Sequence, residues 1–388
     1  MAASRSGRKF VPTRDAAASN AGAVIFSFAL GIATVAVPLL ALRAGYSAAQ
    51  IGAVTAVSAV AQMATRMSLG PAMRHFPDWT LITAAGFLLT ASSGLMALSA
   101  AAVPLVVANL LQGAARACFF TGTQTHVVRG PGRAVGALAT TNFVGSLGLL
   151  AGPAVAGVLS ERTPVLALTV ATVAALIGVL PTFLLDRLPP FSPPADRPRG
   201  RIWRRPGVNI GCWAGVTAGS WRGLLSSFIP VALDSARHSS STIGLLVTIA
   251  NGAALAGAGI VGRVRERGTR WAFVLGTLAA GVGTALAVAL ADNVVLAALV
   301  LALSGLGAGA LQTVGPAIAT DSVHPEERGE AIAAAGTFRA AALFAAPLAV
   351  SGLVGFIALA PAMALVGVAM TVPVFAVRSA RRAQEATA

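Results

Sequence analysis

The sequence predicts an all-α integral membrane protein of twelve transmembrane helices, arranged as two homologous six-helix bundles. Three observations carry that prediction. The 388 residues are 56% apolar and only 11% charged, with 42 glycines and a mean hydropathy of +0.79, which excludes a water-soluble enzyme of this length. Apolar runs of about 20 residues recur from end to end, each long enough to cross a hydrocarbon layer of roughly 30 Å as a helix. The second half of the chain also repeats the first in register.

Taken in order, Arg5, Arg8, Lys9 and Arg14 precede the run from Ala21 to Leu42, which is too long for the apolar core of a signal peptide and reads as an uncleaved first span. Ala48 to Leu69, Leu81 to Ala100, Pro104 to Gln124, Val135 to Leu159 and Pro164 to Leu185 complete a first set of six. Arg187 to Gly207 carries six arginines and is rich in proline, so it reads as an exposed linker. The second set is Val208 to Leu233, Ile243 to Val261, Trp271 to Leu290, Val294 to Pro316, Ala331 to Val354 and Pro361 to Val377. The expected organisation is a tail (1–20), a bundle (21–186), a linker (187–207), a second bundle (208–377) and a tail (378–388).

A net charge of +15 would suggest nucleic acid in a soluble protein, but here the basic residues lie mostly in short links, which excludes that partner. Of 28 Lys and Arg, 21 fall in the tails, the linker and alternate loops, whereas the opposite loops hold only Arg43, Arg162 and Arg237. The positive-inside rule then places both termini in the cytoplasm of a multi-pass plasma-membrane protein. Cys118 and Cys212 lie inside apolar runs as small hydrophobes, without disulfide or zinc spacing, so neither metal nor cofactor is expected. The lone lysine, Lys9, leaves no nucleotide-binding Gly-x-x-x-x-Gly-Lys loop, and the one acid pair, Glu326 and Glu327, is no basis for a metal-dependent membrane enzyme.

The repeat appears at an offset of 192 residues. It aligns Pro38 with Pro230, Ile51 and Gly52 with Ile243 and Gly244, Gly70 with Gly262, Trp79 with Trp271, and Gly113 with Gly305, without a gap. After a small gap Arg133 matches Arg328, Phe143 matches Phe338 and Pro153 matches Pro347. Parallel repeats about an axis along the membrane normal are a known construction of membrane transporters.

Four arginines fall within spans. Arg66 lies four residues before Gly70, close enough to the membrane surface to extend its head to water, which favours a structural use. Arg116 and Arg222 are central and Arg339 is nearer the cytoplasmic side; a centred arginine costs at least about 2.5 kcal/mol, so each should face a wet cavity, a partner or a ligand. Asn109, Gln112 and Arg116 recur at spacings of three and four on one helix face, as do Arg222 and Ser226; Thr55, Ser58, Gln62 and Thr65 form a polar stripe, and Asn142, Asn251 and Gln312 add single amides. No Asp or Glu falls in a span core. Unpaired positive charge favours an anionic ligand such as a carboxylate or phosphate, although backbone carbonyls and amides can also satisfy arginine. His126 and His238 lie at span ends, where a solvated ring is the simplest expectation.

The six-plus-six layout, the basic central loop and the glycine-containing loop after the second span of each half resemble the major facilitator superfamily of secondary transporters. The family's loop signature is Gly, three residues, an acid, a base, any residue, Gly and two bases. The second copy is similar, with Gly262, Glu266, Arg267 and Arg270, its second glycine one place early at Gly268; the first copy, from Gly70, has Arg74 at the acid's place and Asp78 at a base's. Gly148, Gly152, Pro153 and Gly157 in the fifth span resemble the glycine-rich motif of the family's exporters, with Ala156 where a glycine is usual. Helix packing alone accounts for the same spacing, and Pro153 permits a bend. The resemblance implies that the first, fourth, seventh and tenth helices line a central path, so Arg116 and Arg222 would face it from opposite halves. With Arg339, Asn109, Gln112 and Gln312 they form the expected substrate site. The expected function is alternating-access movement of a small organic anion, by efflux, in a monomer within the lipid bilayer. Proton coupling is allowed, and an exporter of lipophilic compounds in exchange for protons is the alternative; a non-transporting relative is a third.

Overall fold

The computed structural model describes residues 13–73, 75–129, 134–190, 202–261, 269–323 and 328–375, all helical or in short connections. The helices are α1 (Arg14–Arg43), α2 (Ala48–Ala72), α3 (Asp78–Leu98), α4 (Ala102–Arg129), α5 (Ala134–Ser160), α6 (Pro164–Ile177), α7 (Pro206–Leu225), α8 (Phe228–Ser235), α9 (Ser240–Val261), α10 (Thr269–Ala287), α11 (Val294–Asp321), α12 (Arg328–Val354) and α13 (Leu359–Ala369). Among the described residues, ten helices are long and apolar enough to cross a membrane by themselves. The other two crossings are α7 with α8, and α13 with the turns that follow it.

The seventh span, expected as one segment, breaks at Ser226 and Ser227. Both hydroxyls donate to carbonyls of the preceding turn, Ser226 Oγ to Arg222 O (3.0 Å) and Ser227 Oγ to Gly223 O (2.8 Å). Pro230 has no N–H to return to residue 226, so the helix restarts as α8. The first half shows which residue decides this. There Thr34 Oγ1 donates to Leu30 O in the same way, and Pro38 stands where Pro230 does, yet α1 is unbroken because Val35 occupies the place of Ser227. The sixth and twelfth spans share a different ending. Pro181 and Pro373 occupy equivalent positions, and α6 and α13 both give way just before them, at Gly178 and Met370, whose N–H groups reach back to Ala174 O and Val366 O.

Packing follows the repeat. In the first half α1 lies against α5, α2 against α4, and α3 against α4 and α6; in the second, α7 lies against α12, α9 against α11, and α10 against α11 and α13. The halves meet through α2 with α12 and α5 with α9, two contacts that a two-fold axis interchanges. Glycine sets the close crossings, in pairs. A Cβ on Gly113 would collide with the Ser58 carbonyl and stand 2.9 Å from Ala61 Cβ; at Gly305 it would collide with the Ala250 carbonyl and stand 3.2 Å from Ala253 Cβ. Residues 250 and 253 are the repeat equivalents of 58 and 61.

The two faces of the molecule differ. On the face away from the start of α1, here called distal, every residue from Ala29 to Ala41 is buried, as is every residue from Thr217 to Leu233 except the half-buried Arg222. Nearer the opposite, proximal face, Ala17, Ala21 and Trp213 are exposed. The central helices are thus buried along their distal halves and partly exposed near their proximal ends. Distal closure is made by direct bonds between the halves: Ser241 N–H, in the first turn of α9, donates to Glu161 Oε1 (2.8 Å), and Thr248 Oγ1 donates to Leu150 O (3.3 Å). The Phe228 ring fills the space beside Gly52 and the Ser351 hydroxyl. Arg43 holds the end of α5 by donating to Ser160 O (2.7 Å).

The bond from the Ser241 N–H is the main cause that holds the Glu161 carboxyl below its ordinary range, with further help from Arg43. A carboxylate held low favours the bonded state above its ordinary pKa and loses that contribution as pH falls through its lowered value. Spin labels on cysteines at positions 163 and 239 will therefore separate on acidification below about pH 4, and the Glu161→Gln variant will show the longer distance already at neutral pH. An unchanged distance distribution in both would refute this closure.

Candidate functional site

The four span arginines come from four helices, two in each half. Counted from the proximal helix ends at 1.5 Å per residue, Arg66 of α2 lies about 9 Å deep, Arg339 of α12 about 17 Å, Arg116 of α4 about 20 Å and Arg222 of α7 about 24 Å. Arg222 is within electrostatic reach of both Arg116 and Arg339, and Arg339 within that of Arg66. The set is a ladder of positive charge that rises from the proximal side towards the distal contacts between the halves.

Its partners are neutral. Arg222 Nη1 donates to Asn251 Oδ1 (2.7 Å), which is oriented by its own Nδ2 donating to Val247 O (3.0 Å). The Arg222 guanidinium carbon also stands 5.0 Å from the centre of the Trp221 ring, whose Nε1–H donates to Ser304 Oγ (3.1 Å). Arg339 Nη2 donates to Gln312 Oε1 (3.2 Å). Among the described residues Arg116 makes no hydrogen bond or ion pair. Among the described residues none of the four ladder arginines is in an ion pair. Of the amides that share a face with Arg116, Asn109 is buried and turned back on Leu105 O (2.9 Å), while Gln112 is buried with no bond of its own among the described residues.

Arg66 is partly exposed, as its position near the membrane surface suggests, but its side chain also leans across the centre. Its Nε is buried without a partner, and its Nη1 lies 3.8 Å from where a Cβ on Gly336 of α12 would stand, so it crosses from one half towards the other. Gln62 Oε1 and Ser58 Oγ, one and two turns away on the same face of α2, are likewise buried without partners. Three consecutive turns thus present unmet polar atoms, the condition that a polar ligand or water relieves.

The glycine motif of α5 has two separate contacts. A Cβ on Gly148 would meet the Val24 carbonyl and stand 2.9 Å from Phe28 N, and one on Gly152 would stand 2.6 Å from Phe28 O, so these residues seat α5 on α1. Pro153 Cδ lies 3.1 Å from the corresponding point on Gly31. Gly157 faces the other half: a Cβ there would stand 2.6 Å from Ser240 O and 2.9 Å from the Cα of Gly244. In the second half Gly219 and Gly223 of α7 receive Arg339 and Pro347 of α12 in the same manner. Of the loop-motif residues, Gly70 lies within α2 and Arg270 is an exposed residue in the first turn of α10, whereas Gly262, Glu266, Arg267 and Gly268 lie outside the described residues, as does Arg74.

Sequence reasoning missed one cluster altogether. His126 is completely buried, not solvated, with Nε2 2.8 Å from Asp15 Oδ1 and Nδ1 3.2 Å from Asp78 Oδ1. Asp78, the acid displaced in the first loop motif, is buried as well and pairs with Arg129 (3.2 Å). Three helix ends meet there, a coincidence that linear spacing does not encode. His238 too has a partner, the Ala291 carbonyl.

Two pseudo-symmetric bundles around a polar space closed at one face are the architecture of a membrane carrier. The sequence profile of the Major Facilitator Superfamily matches residues 20–231 and 211–387, and the chain belongs to that family of transporters. It is a multi-pass membrane transport protein and not an enzyme. Among solved structures it is similar in fold to a POT family transporter in complex with a thioalcohol-conjugated peptide (TM-score 0.76, 11% identity, 94% of this chain and 96% of that one). It is similar as well to the peptide transporter POT in complex with sulfate (0.75, 14%, 97% and 96%) and to a mutant of the nucleoside transporter NupG (0.74, 12%, 93% and 98%). No curated protein matches the sequence.

The two contacts of the α5 motif are separable. Gly244→Leu will wedge α5 from α9 and raise labelling of a cysteine at position 351 by a membrane-impermeant thiol reagent several-fold. Gly148→Leu acts inside one half, so it will lower thermal stability by overpacking, about 1–3 kcal/mol, without raising that labelling.

Proposed function

We propose that this protein is a secondary transporter that carries a small organic anion across the plasma membrane by alternating access, in the direction of efflux. The observation that carries the reading is Arg116: a mid-span guanidinium with no bond among the described residues, electrostatically coupled to Arg222 of the other half, in spans whose cores hold no carboxylate. Leaving such a charge unpaired in a low-dielectric space costs several kcal/mol. A carboxylate or phosphate lying between α4 and α7 would cancel it with charge-assisted hydrogen bonds. The neutral partners of Arg222 and Arg339, Asn251 and Gln312, hold those side chains in place without consuming their charge, which suits a site that must release its anion. Arg66, facing α12 near the proximal face, extends the same attraction towards that face.

The repeat supports the cycle. Because the α2–α12 and α5–α9 contacts are exchanged by the two-fold axis, tilting one half on the other can open the distal face as it closes the proximal one. The efflux assignment rests on the similarity of Gly148, Gly152, Pro153 and Gly157 to the exporter motif, and the cytoplasmic placement of both termini on the distribution of basic residues. One chain contains both halves and all four arginines, so a monomer suffices.

Thermal-stability measurements on the purified protein with a panel of organic carboxylates, phosphates and lipophilic cations test the reading. An anion will stabilise the parent in a concentration-dependent way, and Arg116→Gln will weaken its binding by roughly 10- to 100-fold, the worth of one or two charge-assisted bonds. Arg222→Gln will do the same, while both variants retain normal membrane insertion. Stabilisation by lipophilic cations alone, equal in parent and variants, would overturn the anion site.

A further inference from the structure

The internal repeat allows each half to be read against the other, and one crossing differs in kind. In the second half α7 meets α11 through glycine: a Cβ on Gly211 would lie 2.8 Å from Gly315 O, and one on Gly315 would lie 2.7 Å from Ala214 Cβ, with Ile318 one turn further along α11 and Gly207 opposite it. The equivalent positions in the first half, at the same offset of 192 residues, are Ser19, Thr123, His126 and Asp15. A dry glycine contact is thus replaced, at the proximal ends of α1 and α4, by an acid, an imidazole and two hydroxyls.

These side chains form a closed unit. His126 has no exposed surface, and its two ring nitrogens face two different carboxylates, Asp15 of α1 at 2.8 Å and Asp78 of α3 at 3.2 Å. Nε2 makes a hydrogen bond with Asp15, whereas Nδ1 is near Asp78 by distance without hydrogen-bond geometry; a neutral imidazole has one N–H and would direct a lone pair at one of the two carboxylates, so their charge favours the ring that carries both protons. The remaining charges around it are Arg129 of α4, 3.2 Å from Asp78 Oδ2, and Arg14, Asp186 and Arg187 at the rim, where Arg14 approaches Asp186 at 3.8 Å and Arg187 lies over Trp79. With the ring protonated, Asp15, Asp78, His126 and Arg129 sum to zero charge. One turn deeper, Ser19 Oγ and Thr123 Oγ1 are buried without partners and border a void with room for about one water molecule. The same unit grips the chain that leads into the linker: Asp15 Oδ1 accepts from Asp186 N–H (2.8 Å), and Arg129 Nη2 donates to Pro189 O (2.7 Å).

We propose that Asp15, Asp78 and His126 form a proton-binding site, separate from the arginine ladder, whose occupancy fastens residues 186–189 to the first half and so sets how freely the two halves move. The proton adds to the imidazole to give the imidazolium, and no other bond changes. Its loss leaves the buried Asp78 and the partly buried Asp15 with Arg129 as the one cation bonded to them, and the mutual repulsion loosens α1, α3, α4 and the chain after α6 from one another. In the second half glycine and isoleucine, Gly207 and Ile318, stand at the places of Asp15 and His126, so the imidazole belongs to the first half alone.

Two measurements on the full-length protein in lipid nanodiscs test this. The four histidines can be labelled with ¹⁵N, and His126→Gln identifies the signal that disappears; that ring is expected to show two protonated nitrogens at pH 7.5, where an exposed imidazole is mostly neutral. A neutral ring at that position would overturn the proposal. Thermal unfolding and proteolytic cutting within the linker are then followed from pH 6 to 9. The parent is expected to lose several degrees and to be cut several-fold faster as pH rises, while His126→Gln shows less than half of that pH dependence whatever its absolute stability. Equal pH dependence in the two would also overturn the site. Should His126→Gln not fold, Asp15→Asn, which keeps a neutral hydrogen-bond acceptor, is expected to move the transition to lower pH, and an unmoved transition counts against the proposal.

Discussion

Within hydrocarbon, two apolar helices gain nothing from leaving lipid for each other, so the association of these helices depends on how closely their backbones can approach. Glycine sets that distance here, and does so twice over. Gly113 on Ser58 and Ala61 is matched by Gly305 on Ala250 and Ala253, and Gly31 beside Pro153 by Gly223 beside Pro347. Each crossing fixes the rotation of its helix, and the rotation decides which residues face the centre. Gly113 of α4 seats that helix on Ser58 and Ala61 of α2, beside the polar positions of both.

The same constraint makes the distal closure compact. Gly157 against Gly244 on one side of the two-fold axis corresponds to Ser351 against Gly52 on the other, where Phe228 fills the remaining space. The first crossing is backbone on backbone and the second is plugged by a ring. The break at Ser226 and Ser227 is what brings that ring into place, because it frees α8 from the line of α7 just before Phe228. An irregularity in one helix and a glycine in another therefore belong to a single feature.

Charge is distributed with the opposite logic in the two polar regions. Among the described residues the four span arginines have only neutral partners, two amides and the Trp221 ring, or none, so their charge is not neutralised by a carboxylate. At the proximal ends of α1, α3 and α4 the charges are paired closely and buried, so that their field is spent within the protein. The first arrangement suits a ligand that comes and goes; the second ties helix ends and the path to the linker into one unit.

The fold class was legible in the sequence because it rests on quantities that are local and additive: run length against bilayer thickness, and a repeat offset that survives from Pro38 to Gly305. The candidate site was half legible. Arg116 and Arg222 stand out because a charge in a long apolar run has no surface to reach, whereas Arg66 lies close enough to the membrane edge to be partly exposed. Only the tertiary structure turned it towards α12, since the direction of a side chain depends on the neighbouring helix and not on its depth. The pairing of Arg222 with Asn251 and Arg339 with Gln312, across 29 and 27 residues, was likewise decided by helix rotation. So was the burial of His126, for Asp15, Asp78 and His126 lie in three helices whose ends converge. Composition and periodicity determined that helices span a membrane in two related sets; which polar atoms meet was decided by the glycine contacts that bring those helices to their final separation.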